Sequence, residues 1–385
     1  MNTPITHARF LDIHILQTLP YSNVNRDDLG SPKTVTFGGT TRTRVSSQAW
    51  KRPTRKAVEE SIGEKALRTR RLPLQVSTLL TEERSWPADL AQFAGAQVVI
   101  STDSKLALDK ERDKADQATA SLLFLPMDAV GRLADIAEQH RTALEKALGT
   151  KAANKPVLPK DEVHEVLRSR NGSIALFGRM LAEIPGAGVD GAVQVAHAFT
   201  THSTSVQGDF FTAVDDVDQW AQDAGSAHMN TAEFSSGVFY RYATIDLRDL
   251  ASSVADPATA RELATAFVSS FISSVPSAKK TSTAPHTIPD LVHVSVRADR
   301  PVSYAAAFEK PVSSGAGGWA GPSRIALSAY AQKVCVLLGT DALMHRAYAG
   351  IDSGALDGLG VRTESFPELV ADAVDEAMKT EAATA

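Results

Sequence analysis

The chain has 385 residues of ordinary globular composition, 43% apolar and 22% charged, which excludes a fully disordered chain, a collagen-like fibre and a small disulfide scaffold. Forty Lys and Arg against 45 Asp and Glu give a net charge of −5, which excludes a uniformly basic nucleic-acid protein but leaves room for a local basic patch. The single cysteine, Cys335, rules out an intramolecular disulfide and a Cys-based zinc cluster; with no basic-then-apolar leader and no run of about 20 apolar residues, the expected location is cytoplasmic, with no membrane partner.

From Phe10 to Leu19, Leu11, Ile13 and Ile15 alternate with Asp12 and His14, a period-two strand. Tyr21 to Gly39 is turn-rich, and Gly38-Gly39 reads as a tight turn before a second strand at Thr41 to Val45. Ser46-Ser47 can cap a helix running to about Ile62. Pro53 would either delay its start to about Arg52 or kink it. Between Leu29 and Val58 stand Lys33, Arg42, Arg44, Lys51, Arg52, Arg55 and Lys56, with no acid among them. Solvated surfaces normally interleave signs, so this run points to a polyanion site.

Pro73 to Lys160 reads as mostly helical, with Leu133, Ile136, Ala137, His140, Leu144 and Leu148 on one face and a charged loop at Thr102 to Asp116. Val189 to Ala198 is a compact apolar element. Thr200 to Glu233 is polar, with Phe210, Phe211, Val214 and Trp220 isolated in it. Ordinary loops have about 4–6 residues, so this segment is expected to be a functional arm. Val238 to Leu247 and Leu291 to Val302 alternate as strands around a helix at Arg261 to Ile272, and Ser313 to Pro322 is a glycine-rich loop. Ser365-Phe366-Pro367-Glu368 forms a capping box for a closing amphipathic helix. The order implies an α/β or α+β class, and it is compatible with a ferredoxin-like sheet carrying large insertions.

Three groups of motifs then stand together. The first is Asn25-Arg26-Asp27-Asp28, Phe37-Gly38-Gly39 and Arg44-Val45-Ser46-Ser47-Gln48 with Lys51-Arg52. The second is Gly178-Arg179-Met180, Val189-Asp190-Gly191-Ala192 and His197-Ala198-Phe199-Thr200-Thr201-His202. The third runs from Phe211-Thr212-Ala213-Val214-Asp215-Asp216 through Gly225-Ser226-Ala227-His228 to Glu233-Phe234-Ser235-Ser236-Gly237-Val238-Phe239-Tyr240-Arg241-Tyr242, with a smaller match at Ala307-Phe308-Glu309-Lys310. In this order they resemble the backbone subunit (CasC) family of type I-E CRISPR Cascade complexes, densely over residues 10–70 and 176–247 and thinly over 290–312.

The resemblance implies an α+β, hand-shaped subunit with a ferredoxin-like (RRM-like) palm. The palm would comprise residues 1–72, 176–199 and 234–312, with the C-terminal loop and helices at 313–385. Helical fingers would occupy 73–175 and a protruding thumb 200–233. It further implies an RNA-binding, non-enzymatic scaffold that uses no cofactor or metal. In the family six copies stack along one CRISPR guide RNA beside other Cascade subunits, present it to target DNA in antiviral defence, and leave cutting to a separate enzyme.

By position within the family motifs, Arg26, Lys33, Ser46, Gln48, Lys51, Arg52, Arg55, Arg179 and Met180 would bind the guide. Gln48, Lys51, Arg52 and Arg55 share one helix face at three- and four-residue spacing. A guide of any sequence must be held by its phosphates and sugars. In the thumb, Phe210, Phe211, Thr212 and Met229 would fill the space beside a displaced base. Lys279 and Lys280 would touch DNA or a neighbouring subunit. The competing reading is a metal-dependent ribonuclease on the same fold using Asp27 and Asp28, since paired carboxylates can hold Mg²⁺. Against it, Asp27-Asp28 belongs to the motif of non-catalytic relatives, and His197 and His202 read as core or interface histidines.

Overall fold

The computed structural model describes residues 8–109, 117–213, 228–352 and 354–379. In chain order, β1 (Phe10–Ser22), β2 (Thr34–Phe37) and β3 (Thr40–Val45) lead into α1 (Ser47–Ser61). Next come β4 (Ala66–Thr69), α2 (Leu72–Glu82), α3 (Ala88–Ile100), β5 (Leu123–Pro126) and α4 (Ala129–Gln139). They are followed by α5 (Arg141–Ala147), α6 (Lys160–Arg168) and α7 (Gly172–Phe177). The chain returns through β6 (Val193–Val195), β7 (Ala198–Thr200), β8 (Gln207–Ala213) and β9 (His228–Asp246). It continues with α8 (Leu247–Ser253), α9 (Pro257–Ser273), α10 (Lys280–Thr283) and β10 (Leu291–Arg297). It ends in α11 (Ala320–Leu338), β11 (Leu343–Gly350), β12 (Val361–Arg362) and α12 (Phe366–Ala377).

Two units divide these elements: residues 1–58, 193–251 and 255–385 in the first, and 59–192 with 252–254 in the second. The first is built on a ten-stranded sheet with the order β12-β11-β10-β1-β9-β7-β3-β2, β6 and β8 pairing separately with β9. Its pairings are antiparallel except β11 with β12. With helices segregated from the strands, this is the expected α+β class.

Strand β1 lies between β9 and β10, and both of its faces are buried. Ile13 and Ile15 pair with Val294 and Val292 on an apolar face. Arg241, also on that face, lies under Phe271 of α9. The opposite face carries Asp12 and His14, whose alternation reads in sequence as a solvent side. The structure buries them completely. Three of their four polar atoms are met: Tyr242 Oη donates to Asp12 Oδ1 at 2.8 Å, Val302 N–H to Asp12 Oδ2 at 3.0 Å, and His14 Nδ1 shares a hydrogen bond with Tyr240 Oη at 2.9 Å, while His14 Nε2 is buried with no hydrogen-bond partner among the described residues. Tyr304 stacks on His14 with ring centres 4.1 Å apart, and Leu327, Ala331 and Val334 of α11 join the same cluster.

Helix α1 begins at Ser47 and keeps Pro53 inside it, so the late start near Arg52 does not occur. The closing helix has its expected start. Ser365 Oγ accepts the Glu368 N–H at 3.2 Å, and Glu368 Oε2 accepts the Glu364 N–H at 3.0 Å. Within the segment expected as a polar excursion at 200–233, the described residues are largely paired strands. Strand β8 pairs with the first part of β9 from Gln207↔Phe234 to Ala213↔His228. Val214, Asp215, Asp216 and Trp220 lie outside the described residues.

The second unit packs α2, α3, α4, α5 and α6 around Leu72, Val76, Leu80, Val98, Leu133, Leu144 and Leu167, with β4 and β5 paired antiparallel. It reaches to Ala192, so residues 176–192, expected in the palm, belong here. Leu181, Ile184 and Ala187 join the core of this unit, and the segment that carries them is folded back on itself. Arg179 and Val189 exchange backbone hydrogen bonds at 2.8 and 2.9 Å. At Gly178, with φ +76°, a Cβ would lie 2.8 Å from Gly191 N, an approach that only glycine permits. No helix among the described residues is long and apolar enough to cross a membrane.

Candidate nucleic-acid interface

The basic run folds into a hairpin and a helix start. Gly38 and Gly39, with φ +58° and +74°, close the two-residue turn between β2 and β3. A Cβ at Gly38 would fall 1.6 Å from Glu309 O, so the turn is also a docking point for the 307–310 motif. Arg42 secures that contact. It is fully buried and donates to Thr40 Oγ1 at 3.0 Å, Thr200 O at 2.9 Å, Phe308 O at 3.0 Å and Glu309 O at 3.3 Å. One cation of the seven in the acid-free run is therefore structural.

Of the remaining cations, Lys33, Arg44, Lys51 and Arg52 lie around the start of α1, with Arg55 and Lys56 further along it. Asn25 Oδ1 accepts the Ser46 N–H at 2.8 Å, and Asn25 O accepts the Lys33 N–H at 3.0 Å. Arg44 N–H donates to Lys33 O at 2.7 Å. These bonds bring Lys33, Arg44 and the first turn of the helix together. Ser46 itself is only 8% exposed, and its carbonyl accepts the N–H groups of Ala49 and Trp50, so its main task is to start the helix. Trp50, Thr54 and Val58 fill the buried face of α1. Gln48 and Arg52 are exposed, and Lys51 and Arg55 partly so, on the outward side. Partial burial draws the Lys51 ammonium below the ordinary lysine range. His197, expected as a core or interface residue, is exposed beside this cluster, with Nδ1 3.1 Å from Ser47 N and 3.2 Å from Arg44 Nη1. Burial, Arg44 and Lys33 together lower its pKa. The other histidine of that motif, His202, is buried as expected and stacks on Trp319 with ring centres 4.0 Å apart.

A second feature of the first unit is a cleft of about 400 Å³ lined by Arg26, Leu29, Phe211, Thr231 and Lys279 among others. It brings together three residues that the sequence motifs left in separate groups. Asn23 Nδ2 joins two of its walls by donating to Gly30 O at 2.9 Å and Glu233 O at 2.8 Å, and Ser31 Oγ bonds Glu233 Oε2. Phe210 is 64% and Phe211 43% exposed. Adjacent strand residues alternate sides, so Thr212 shares the side of Phe210. Met229 pairs with Thr212 through the backbone, and its side chain lies outside the described residues. Lys280 is exposed at the start of α10.

Two expected functions are redirected by the geometry. Arg179 is 4% exposed, and its guanidinium donates to Ala187 O at 2.8 Å, Ser169 O at 2.8 Å, Arg168 O at 3.0 Å and Phe124 O at 3.4 Å. It is a clamp inside the second unit, not an RNA contact. Met180, next in the chain, is 90% exposed and open to contact. Asp27 Oδ1 accepts the N–H groups of Leu29 at 3.0 Å and Ser31 at 2.9 Å. The carboxylate thus shapes the 27–31 turn.

Fold and surface together define an α+β protein with a cationic face at a helix start and an aromatic-bearing hairpin beside a cationic cleft. The chain belongs to the CT1975-like protein family, whose model matches residues 11–372. It is similar to a chain of a solved "CRISPR RNA-guided surveillance complex, pre-nicking", with 49% identity and a TM-score of 0.91, over 96% of this chain and 100% of that one. It is also similar to a chain of a second "CRISPR RNA-guided surveillance complex", with 43% identity and a TM-score of 0.80, over 95% of this chain and 99% of that one. No curated protein matches it.

Proposed function

We propose that the chain is the guide-RNA-binding backbone subunit of a cytoplasmic CRISPR Cascade complex of type I-E. Several copies, six as in the family, stack head to tail along one guide, next to other Cascade subunits, and hold it for pairing with target DNA. The supporting observation is the cluster of Lys33, Arg44, Gln48, Lys51 and Arg52 around the start of α1, where mainly charge and amide groups face outward. Such groups hold a phosphate chain without reading bases. The hairpin of β8 and β9 with Phe210 and Phe211 is the thumb that displaces a base at regular intervals. The role is a scaffold's, and Asp27 as a turn former supports it over the ribonuclease reading.

The test is to express the chain with its neighbouring subunits and sequence the RNA that co-purifies. Repeat-flanked guides of uniform length are expected, and a broad sample of cellular transcripts would overturn the reading. On the assembled complex, single target mismatches should be nearly silent at a regular interval and costly between. A smooth decay of tolerance along the target would remove the thumb from the proposal.

A further inference from the structure

His197 is the one histidine of the His197–His202 motif with a ring nitrogen that makes no hydrogen bond among the described residues. In His202 both ring nitrogens are consumed, Nδ1 by Ser203 O at 2.9 Å and Nε2 by the Val238 N–H at 3.1 Å. In His197 the two neighbours of Nδ1 are the Ser47 N–H at 3.1 Å and Arg44 Nη1 at 3.2 Å. Both can only donate, so Nδ1 must carry the lone pair and the ring proton must sit on Nε2. Nε2 lies across an exposed ring from those contacts and makes no hydrogen bond among the described residues.

We propose that His197 is a further guide-contacting residue, whose Nε2–H, fixed in place by Ser47 and Arg44, donates to a backbone phosphate of the RNA. This inference rests on the guide-binding reading. Nearby positive charge acts on the ring in two ways. Arg44 and Lys33 draw a phosphate to this place, and partial burial and these two charges lower the pKa of the imidazole, in line with the two donors that meet Nδ1. The contact is therefore an uncharged donor inside a cationic cluster. It adds geometry to the site without adding a released counterion. It also explains why a histidine serves here. A lysine or arginine could not accept the Ser47 N–H, and an asparagine could accept it but has no ring N–H on the far side.

The experiment measures binding of the full chain to a guide-length single-stranded RNA of mixed sequence, at several salt concentrations. His197→Asn keeps an acceptor for Ser47 near the Nδ1 position and removes the outer donor. His197→Ala removes both. Both variants should bind roughly tenfold more weakly, the scale of one hydrogen bond to a charged group, with the log–log salt slope unchanged. Nitrogen-15 spectra of the ring should show the Nε2–H tautomer in the free protein and a shift of Nε2 when RNA is added. If His197→Asn binds like the parent while His197→Ala is weakened, the residue only supports the helix start and the inference fails. An Nε2 signal indifferent to RNA overturns it in the unaltered protein, independently of whether the variants fold. Lys51→Ala serves as the control. Weak binding by Lys51→Ala beside normal binding by His197→Asn defeats the His197 contact alone, whereas no measurable binding of the RNA by the parent chain at low salt defeats the guide-binding reading beneath it.

Discussion

Arg42 and Arg44 are two residues apart on β3 and carry the same charge, yet they face opposite worlds. Arg42 is fully buried, and three main-chain carbonyls and a threonine hydroxyl consume its donors. Arg44 sits partly exposed at the helix start, with His197 as its neighbour. The same division recurs elsewhere. Arg241 is buried between Trp50 and Phe271, at 3.8 and 4.5 Å from their ring centres, and donates to Gln17 Oε1 at 2.6 Å, while Arg52 of α1 is exposed. A cation whose donors end on carbonyls is part of the fold, and a cation without such partners is available to a polyanion. Counting charge along the chain merges the two kinds. Strand alternation does not separate them, because Arg42 and Arg44, two residues apart on β3, share one side of the strand.

The largest effect should come from breaking the buried kind. Arg42→Ala leaves Thr200 O, Phe308 O and Glu309 O without their donor in the interior. The expected loss is about 3–5 kcal/mol of unfolding free energy, as for other broken buried polar networks. Urea unfolding measures it. A loss below about 1 kcal/mol, with RNA affinity selectively weakened, would place Arg42 with the surface cations instead.

The buried histidines extend the comparison to acid. In the folded chain, burial holds His14 well below its ordinary pKa and lowers His293 to about 4. Once the pH is below about 6.5 the unfolded chain takes up protons that the folded chain refuses, so stability is lost as pH falls from about 6.5 toward 4. His293 alone should account for about 3 kcal/mol over that window. Asp12 works in the opposite direction. Burial raises it to about 6, so from pH 6 down to about 4 the folded state holds a proton that the unfolded state lacks, which adds stability. Two histidines against one carboxyl leave a net loss. Unfolding curves at pH 7 and pH 5 should show it, and His293→Gln should flatten it. A parent protein equally stable at both values would mean that this polar face is more hydrated than its packing indicates.

Much of the fold was legible because it rests on local rules. The strand at β1, the capping box at Ser365 and the turn at Gly38-Gly39 each follow from a few adjacent residues, and each appears in the structure. The start of α1 was open to two readings because Pro53 argued against an early one; the Ser46 carbonyl and the buried Trp50 set the helix start at Ser47. What stayed hidden depends on distant partners. The complete burial of Asp12 and His14 needs Tyr240, Tyr242, Val302 and Tyr304, more than 220 residues away. The inclusion of residues 176–192 in the second unit rests on Leu181, Ile184 and Ala187 reaching its core, in a segment folded by the close approach of Gly178 and Gly191, which has no period to read. At the interface, charge spacing picked out the face of Gln48, Lys51, Arg52 and Arg55. It missed His197, whose part depends on one backbone N–H about 150 positions earlier. The family motif added Arg179, which no local pattern distinguishes from a surface arginine and which the fold buries.

The smallest effects should separate charge from geometry on the exposed side. Lys51 and Gln48 lie three residues apart on the outward side of α1, and neither helps to fill its buried face as Trp50, Thr54 and Val58 do. Alanine at either position should therefore change stability by no more than about 0.5–1 kcal/mol, and both should weaken binding to guides of unrelated spacer sequence by a similar factor. Salt is what tells them apart. A lysine that neutralises a phosphate releases a counterion from the single strand, so Lys51→Ala should lower the log–log salt slope by roughly 0.7. Gln48→Ala removes a neutral hydrogen bond and should leave the slope as it was. Equal slopes for the two variants would show that Lys51 does not pair with a phosphate, and the cluster at the start of α1 would then have to bind through Lys33, Arg44 and Arg52 without it.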